Sequence, residues 1–260
     1  MAANTCTETT YKHIFMSIHI GIAGISGRMG RLLVEEVATA GCALSGGTRS
    51  GETVEALASA SDVVIDFTRA SAVQEHAAAL AASGTAWVLG TSGLSAADEA
   101  AVAAAASQVP VVYAANFSAG VTLVLALAER MAASLPSQQY DAEILEMHHR
   151  QKVDAPSGTA VALGRAVAAG RQVDLATVMQ SGRDGHTGPR QTGAIGFATL
   201  RGGQVVGEHS LLFAGADEQI VLTHKAFDRR TFASGAVRAA LWVAGRAPGL
   251  YGMRDVLGLS

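Results

Sequence analysis

Ile18-His-Ile-Gly-Ile-Ala23-Gly24-Ile25-Ser26-Gly27-Arg28-Met29-Gly30, continued by Arg31-Leu-Leu-Val-Glu-Glu-Val-Ala38 and stopped at Gly41, is the stretch that decides the fold. The apolar run 18–23 predicts a short buried strand, the glycines a tight turn, and the apolar spacing after them a helix. A strand, a glycine turn and a helix in that order are the context in which such glycines mean dinucleotide binding. Gly24 permits the turn, and Gly27 or Gly30 permits close approach of backbone to a pyrophosphate or to the strand. The spacing is Gly-x-x-Gly-x-x-Gly, with Ser26 at the place of the usual second glycine. An ordinary strand–helix turn is the plainer alternative.

Further along, the same alternation repeats. Strands are expected over 42–49, 62–67, 85–89 and 109–114. Between them, Thr68 or Ser71 caps a helix to Ala82 closed by Gly84, and Ser95-Ala-Ala-Asp98 opens a second helix with a capping box. This pattern predicts an α/β fold with a Rossmann-like, doubly wound parallel sheet. Ligands of such sheets lie beyond the carboxyl ends of the strands, so 24–30, 90–92 and 114–117 should border one crevice. Where an NAD enzyme has an acid near the end of its second strand, this chain has Arg49, with no acid until Glu52. Arg49, and Arg28 in the glycine turn, suit a 2′-phosphate and favour NADPH; two solvated arginines are the alternative.

After a helix expected over 119–133, the organisation changes. A strand over 141–147 leads through His148-His149-Arg150-Gln-Lys152 to Pro156-Ser157-Gly158-Thr159 and a helix to about 169. Strand-like runs over 194–200, 204–213 and 219–224 then follow one another, with Arg201-Gly-Gly and Ala214-Gly-Ala-Asp as hairpin turns. Strands in succession predict an α+β domain with an open mixed sheet. The helix over 229–244 and the tail 250–259 are expected to return to the first domain. The expected division is 18–117 for dinucleotide binding, completed by 228–260, and 118–227 for substrate binding and oligomerisation. Residues 1–17 read as a disordered leader, with the functional start near Met16.

Composition narrows the function. In 260 residues, 49% are hydrophobic and 16% charged, which excludes disorder and permits a large core. A net charge of −3 carries no basic surplus for nucleic acid. The two cysteines, Cys6 and Cys42, exclude a disulfide scaffold and a four-cysteine zinc site, and suit a reducing cytoplasm. No apolar run reaches the ~18–20 residues that span a bilayer.

Chemistry concentrates at 143–160. Imidazole exchanges protons near neutrality, so His148 or His149 can give or take one; Lys152 adds a cation or an acid. Adjacent histidines on an extended segment face opposite ways, so one of them meets a given ligand. The N–H groups of Gly158, Thr159 and Ala160, at a helix start, attract a carboxylate or phosphate. Arg150 is a surface charge or a partner for Glu146, Asp154 caps the turn, and His186, His209 and His224 read as structural or peripheral. A metal-dependent hydrolase using Glu146, His148, His149 and Asp154 is one rival class, although no metal is expected because no His-x-x-x-His pair occurs. A catalytically silent nucleotide sensor is another.

Taken together, Gly24-x-x-Gly-Arg-Met-Gly30, Gly90-Thr-Ser-Gly93, Ala114-Ala-Asn-Phe117 and Glu143-x-x-Glu-x-His-His-Arg-x-Lys152-x-Asp-x-Pro-Ser-Gly-Thr-Ala160 resemble the dihydrodipicolinate reductases of lysine biosynthesis, now called 4-hydroxy-tetrahydrodipicolinate reductases. Gly-His-Thr-Gly188, Ile-Gly-Phe-Ala-Thr199, Gly-Glu-His209, Thr-His-Lys225 and Met253-Arg-Asp-Val extend the likeness from Ile18 to the end. The resemblance implies a homotetramer, joined through the substrate-domain sheets, that reduces a cyclic dicarboxylate imine with NADH or NADPH to tetrahydrodipicolinate. Hydride goes to ring carbon 4 and a proton to carbon 3. By the same resemblance His148 is proton donor/acceptor, Lys152 proton donor, and His149, Ser157, Gly158 and Thr159 bind substrate. Gly24, Ile25, Ser26, Gly27, Arg28, Met29, Gly90, Thr91, Ser92, Ala114, Ala115, Asn116 and Phe117 match the dinucleotide contacts. The chain departs from the family between Arg49 and Asp62, where longer members carry an extra segment and those that use NADH well have an acid at the place of Arg49.

Overall fold

The structure, a computed structural model, describes residues 18–259. The expected leader and start site lie outside the described residues. From the N-terminal side the elements are β1 (His19–Ala23), α1 (Arg28–Thr39), β2 (Ala43–Thr48), α2 (Glu55–Ser59), β3 (Val63–Asp66), a 3₁₀ turn (Ala70–Ala72), α3 (Val73–Ser83), β4 (Ala86–Leu89), α4 (Ala96–Ala106) and β5 (Pro110–Tyr113). Then come α5 (Ala119–Ser134), β6 (Asp141–His148), α6 (Gly158–Gly170), α7 (Leu175–Val178), β7 (Met179–Ser181), β8 (Ile195–Arg201), β9 (Gly207–Ala214) and β10 (Gln219–Ala226). The chain closes with α8 (Arg230–Val243), β11 (Gly249–Tyr251) and α9 (Met253–Leu257).

A six-stranded sheet has the order β11-β5-β4-β3-β1-β2, and every pairing in it is parallel. Its central strands are largely apolar because both faces are covered, the exceptions being His19 at the start of β1 and buried Asp66 at the end of β3. On one face Ile20, Ile22 and Val88 pack with Leu33 and Val37 of α1 and Ala233 and Val237 of α8. On the other, Val64, Trp87 and Leu89 pack with Leu57 of α2, Leu80 of α3 and Val102 of α4. The tail adds β11 to this sheet, parallel to β5.

Local signals behaved unevenly. Ser95 and Asp98 form the capping box, the Asp98 N–H donating to Ser95 Oγ at 3.3 Å and the Ser95 N–H to Asp98 Oδ2 at 2.9 Å. Neither Thr68 nor Ser71 caps α3, whose N-cap Ala72 makes no side-chain bond. Thr68 is taken instead by Asp66, which accepts its N–H at 2.9 Å and its hydroxyl at 2.6 Å.

The second sheet is mixed, in the order β10-β9-β6-β8-β7, with β6 parallel to β8 and antiparallel to β9. Along β6 the alternation turns Ala142, Ile144, Glu146 and His148 inward and leaves Leu145 exposed. The inward row packs under Ala128 and Ala132 of α5 and Leu163 and Val167 of α6. Ala214-Gly-Ala-Asp is a hairpin turn, closed by the Gly215 N–H on Glu218 O at 2.9 Å. Arg201-Gly-Gly is not one, because β6 lies between β8 and β9. The connection instead passes over the end of β6: the Gly202 N–H donates to His148 O at 2.9 Å and the His149 N–H to Val205 O at 2.8 Å. The crossing fixes the backbone on both sides of His148.

Candidate active site

Between the two sheets lies a cavity of about 900 Å³. From the second sheet's side it receives His148 at the end of β6, Lys152 from the next loop and Ser157-Gly158-Thr159 at the start of α6. From the first it receives Ser92 after β4 and Ala114, Ala115 and Asn116 after β5. Asn116 Nδ2 donates to Thr159 Oγ1 at 3.3 Å, so the two sides touch directly. Ser157 caps α6 by accepting the Ala160 N–H at 3.2 Å, which leaves the Gly158 and Thr159 N–H groups as first-turn donors.

The charges around this cavity are ordered. Lys152 Nζ donates to both Asp154 oxygens, at 2.7 and 2.8 Å, and this bond holds the Asp154 carboxyl below its ordinary range. His148 Nδ1 lies 2.6 Å from Glu146 Oε2. Burial lowers the His148 pKa, Glu146 pulls it up, and Lys152 and Arg201 push it down again; the net direction is down. Glu146 is 1% exposed, and burial alone would raise its pKa. Bonds from Arg201, His148 and the Ser157 N–H outweigh burial and keep it ionised. Beside them His209, ring to ring with His148 at 5.0 Å and bonded to Ser157 Oγ at 3.0 Å, is pushed by burial down to about 4.

A second cavity, of about 360 Å³, lies over the ends of β1, β2 and β3. Gly24, Ser26, Gly27 and Arg49 line it, together with Glu52, Arg69 and His76. Gly24 adopts φ +78°, the left-handed turn that its position requires. A Cβ on Gly30 would sit 2.3 Å from Gly24 O, so this glycine serves the tight seating of α1 against the turn. Gly27 caps α1 without a side-chain bond, leaving the first N–H groups of the helix for a ligand. The Arg49 side chain is 70% exposed and lies 3.9 Å from Glu52, whose other oxygen accepts the Arg49 N–H at 2.7 Å. Under the cavity, buried Asp66 holds His76 Nδ1 at 2.7 Å; burial opposes protonation, but Asp66 prevails and raises the His76 pKa.

The single crevice expected from sequence is therefore two cavities. Ile25, Arg28, Met29, Gly90, Thr91, Phe117 and His149 line neither of these two. Ile25 and Met29 pack on the core, and Phe117 is buried in it, 5.3 Å from Phe67 ring to ring. Thr91 Oγ1 and His149 Nδ1 are buried without a partner. Glu146 pairs with Arg201 rather than Arg150, and its occupied oxygens leave no lone pair for a metal. Among the described residues no group of three or more His, Cys, Asp and Glu side chains is placed to hold a metal ion. Sequence reasoning set Glu146 beside His148 only as a possible metal ligand, not as the histidine's partner, and read His209 as structural or peripheral. The signal for Glu146 was present: on a strand, the residue two before His148 shares its face.

Residues 18–117 match the model of the N-terminal part of dihydrodipicolinate reductase, and residues 120–257 that of its C-terminal part. A 4-hydroxy-tetrahydrodipicolinate reductase of Granulibacter bethesdensis is 66% identical over 255 residues, covering 94% of this chain and 98% of the relative. Its counterpart in Acidiphilium cryptum is 66% identical over 242 residues, covering 93% and 98%. The solved structure of a dipicolinate-bound dihydrodipicolinate reductase from Paenisporosarcina sp. TG-14 superposes with a TM-score of 0.73 at 25% identity, covering 92% of this chain and 99% of that one. The chain belongs to the family of 4-hydroxy-tetrahydrodipicolinate reductases, oxidoreductases of lysine biosynthesis.

Proposed function

We propose that the family's reaction, NAD(P)H-dependent reduction of 4-hydroxy-tetrahydrodipicolinate by way of dihydrodipicolinate to tetrahydrodipicolinate, runs in the interlobe cavity with His148 and Lys152 as its proton-handling groups. The observation that carries this is their convergence, with Gly158 and Thr159, on the face opposite Ser92 and Ala114–Asn116. The substrate is a cyclic dicarboxylate. One carboxylate suits the Gly158 and Thr159 N–H groups and the positive end of α6, with Lys152 beside it. His149 lines neither cavity, and with its N–H donated to Val205 O it would meet substrate through its ring, whose Nδ1 has no partner.

The first lobe fits a nicotinamide dinucleotide. The left-handed Gly24 turn, the uncapped start of α1 and the unpartnered Thr91 hydroxyl are suited to a pyrophosphate and ribose. Gly24, Ile25, Ser26, Gly27, Arg28 and Met29 would hold the diphosphate, and Gly90, Thr91, Ser92, Ala114, Ala115, Asn116 and Phe117 the nicotinamide half. When bound, the cofactor supplies the hydride for ring carbon 4. Lys152 supplies the proton for carbon 3, directly or through His148, whose neutral ring can accept it and pass it on.

NADPH is the preferred cofactor and NADH the second. Arg49 is exposed at the mouth of the smaller cavity, where a 2′-phosphate would meet it; Glu52 beside it can accept ribose hydroxyls when the phosphate is absent. The oligomer is a homotetramer joined through the second sheet, whose outer face carries Leu145, Leu200 and Val221 exposed. We place the enzyme in the cytoplasm. No described helix is long and apolar enough to cross a membrane. A coupled assay with freshly generated substrate, following oxidation of each reduced cofactor separately, tests the reading. Turnover faster with NADPH supports it; cofactor binding without turnover contradicts it.

A further inference from the structure

Glu146 is the most fully engaged carboxylate among the described residues. Arg201 Nη1 donates to Oε2 at 2.8 Å and Arg201 Nη2 to Oε1 at 2.9 Å, a bidentate clamp. Oε1 also accepts the Ser157 N–H at 3.0 Å and the Thr199 hydroxyl at 3.3 Å, and Oε2 lies 2.6 Å from His148 Nδ1. Arg201 Nη2 reaches on to the carbonyl of Asp154 at 2.6 Å. A carboxylate surrounded by donors has no proton of its own to give, so the proton between Glu146 and His148 belongs to Nδ1. Nε2 is left as the bare nitrogen. Gly207 leaves space beside it, since a Cβ there would sit 3.0 Å away.

We propose that Glu146, clamped by Arg201, is a positioning residue that fixes His148 as the Nδ1–H tautomer and at the same time anchors the Asp154–Ser157 turn from which the substrate carboxylate is held. One buried group thus sets both the nitrogen through which a proton passes and the start of α6. The inference rests on the reading of this cavity as the reductase site, but its first test does not use turnover. Charged and titratable groups face His148 from every side: Glu146 on its own strand, Lys152 and Asp154 on the following loop, Arg201 of β8 and His209 of β9. Glu146 raises the His148 pKa, whereas Lys152 and Arg201 lower it.

The experiment is long-range ¹H–¹⁵N spectroscopy of the histidine rings, with His148 assigned from the His148→Asn variant. Wild type is expected to show Nδ1 protonated and Nε2 bare; the opposite tautomer overturns the proposal with no variant needed. Glu146→Gln should shift the His148 titration to lower pH and Arg201→Gln to higher pH, a pair of opposite movements that lost packing does not produce. In turnover, Glu146→Gln should lower kcat about 10–100-fold while the KM for NADPH stays within about twofold. If Glu146→Gln does not fold, the wild-type tautomer and the Arg201→Gln titration still decide. Shifts in the same direction, or none, overturn the proposal and leave the reductase assignment standing. A wild-type enzyme with the expected tautomer and no turnover would instead remove the reductase assignment.

Discussion

Asn116 Nδ2 and Thr159 Oγ1 meet at 3.3 Å across the gap between the two sheets. Asn116 follows β5 of the first lobe, and Thr159 opens α6, so a residue of the cofactor side steadies the turn proposed to hold the substrate. A neutral hydrogen bond of this kind contributes about 1 kcal/mol. Asn116→Ala should therefore lower kcat/KM for the dicarboxylate on the order of fivefold, read by steady-state kinetics. Unchanged kinetics would show that the contact does not steady the site.

Lys152 and His148 line the same cavity. If each moves a proton in the reaction, Lys152→Ala and His148→Ala lower turnover by ~10²–10⁴. Near-wild-type rates in both variants would discredit those roles.

Arg49 and Glu52 stand side by side at the smaller cavity. Arg49→Glu puts a second acid where the 2′-phosphate is proposed to bind, so the ratio of kcat/KM values for NADPH over NADH should fall sharply. The measurement is a pair of cofactor titrations, and a constant ratio removes Arg49 from the phosphate site.

His209 gives a stability prediction. Its pKa is held at about 4, against an ordinary 6.5, by burial first and then by the charge of nearby His148. An unfolded chain protonates this ring near 6.5 and the native fold resists until about 4, so stability present above 6.5 is lost as pH falls through that window. The loss is on the order of 3 kcal/mol. The urea midpoint should drop between pH 7 and 4.5, and drop less in His209→Gln. Equal slopes in the two proteins would contradict the account.

Much of this architecture was written locally. The strand, glycine turn and helix at 18–38, the Ser95 capping box and the alternation along β6 each depend on neighbours a few residues apart. The Arg201-Gly-Gly turn misled because a glycine pair between two strands reads as a hairpin whether or not a third strand has already taken the place between them. That place belongs to β6, some fifty residues earlier. The role of Glu146 was hidden for the same reason. Its clamp, Arg201, lies 55 residues away and becomes its neighbour only through the parallel pairing of β6 with β8. α2 is short and carries too little periodic signal to be read from sequence.

The central claim is that a proton-handling, carboxylate-holding turn on one lobe faces the nicotinamide held by the other. The most direct measurement is a crystal structure of the enzyme with NADPH and pyridine-2,6-dicarboxylate. One carboxylate should lie on the Gly158 and Thr159 N–H groups with Lys152 in hydrogen-bond reach, and the ring should sit about 3–3.5 Å from the nicotinamide C4. A dicarboxylate bound elsewhere, with the His148 imidazole and the Lys152 ammonium turned away from the gap, would contradict it.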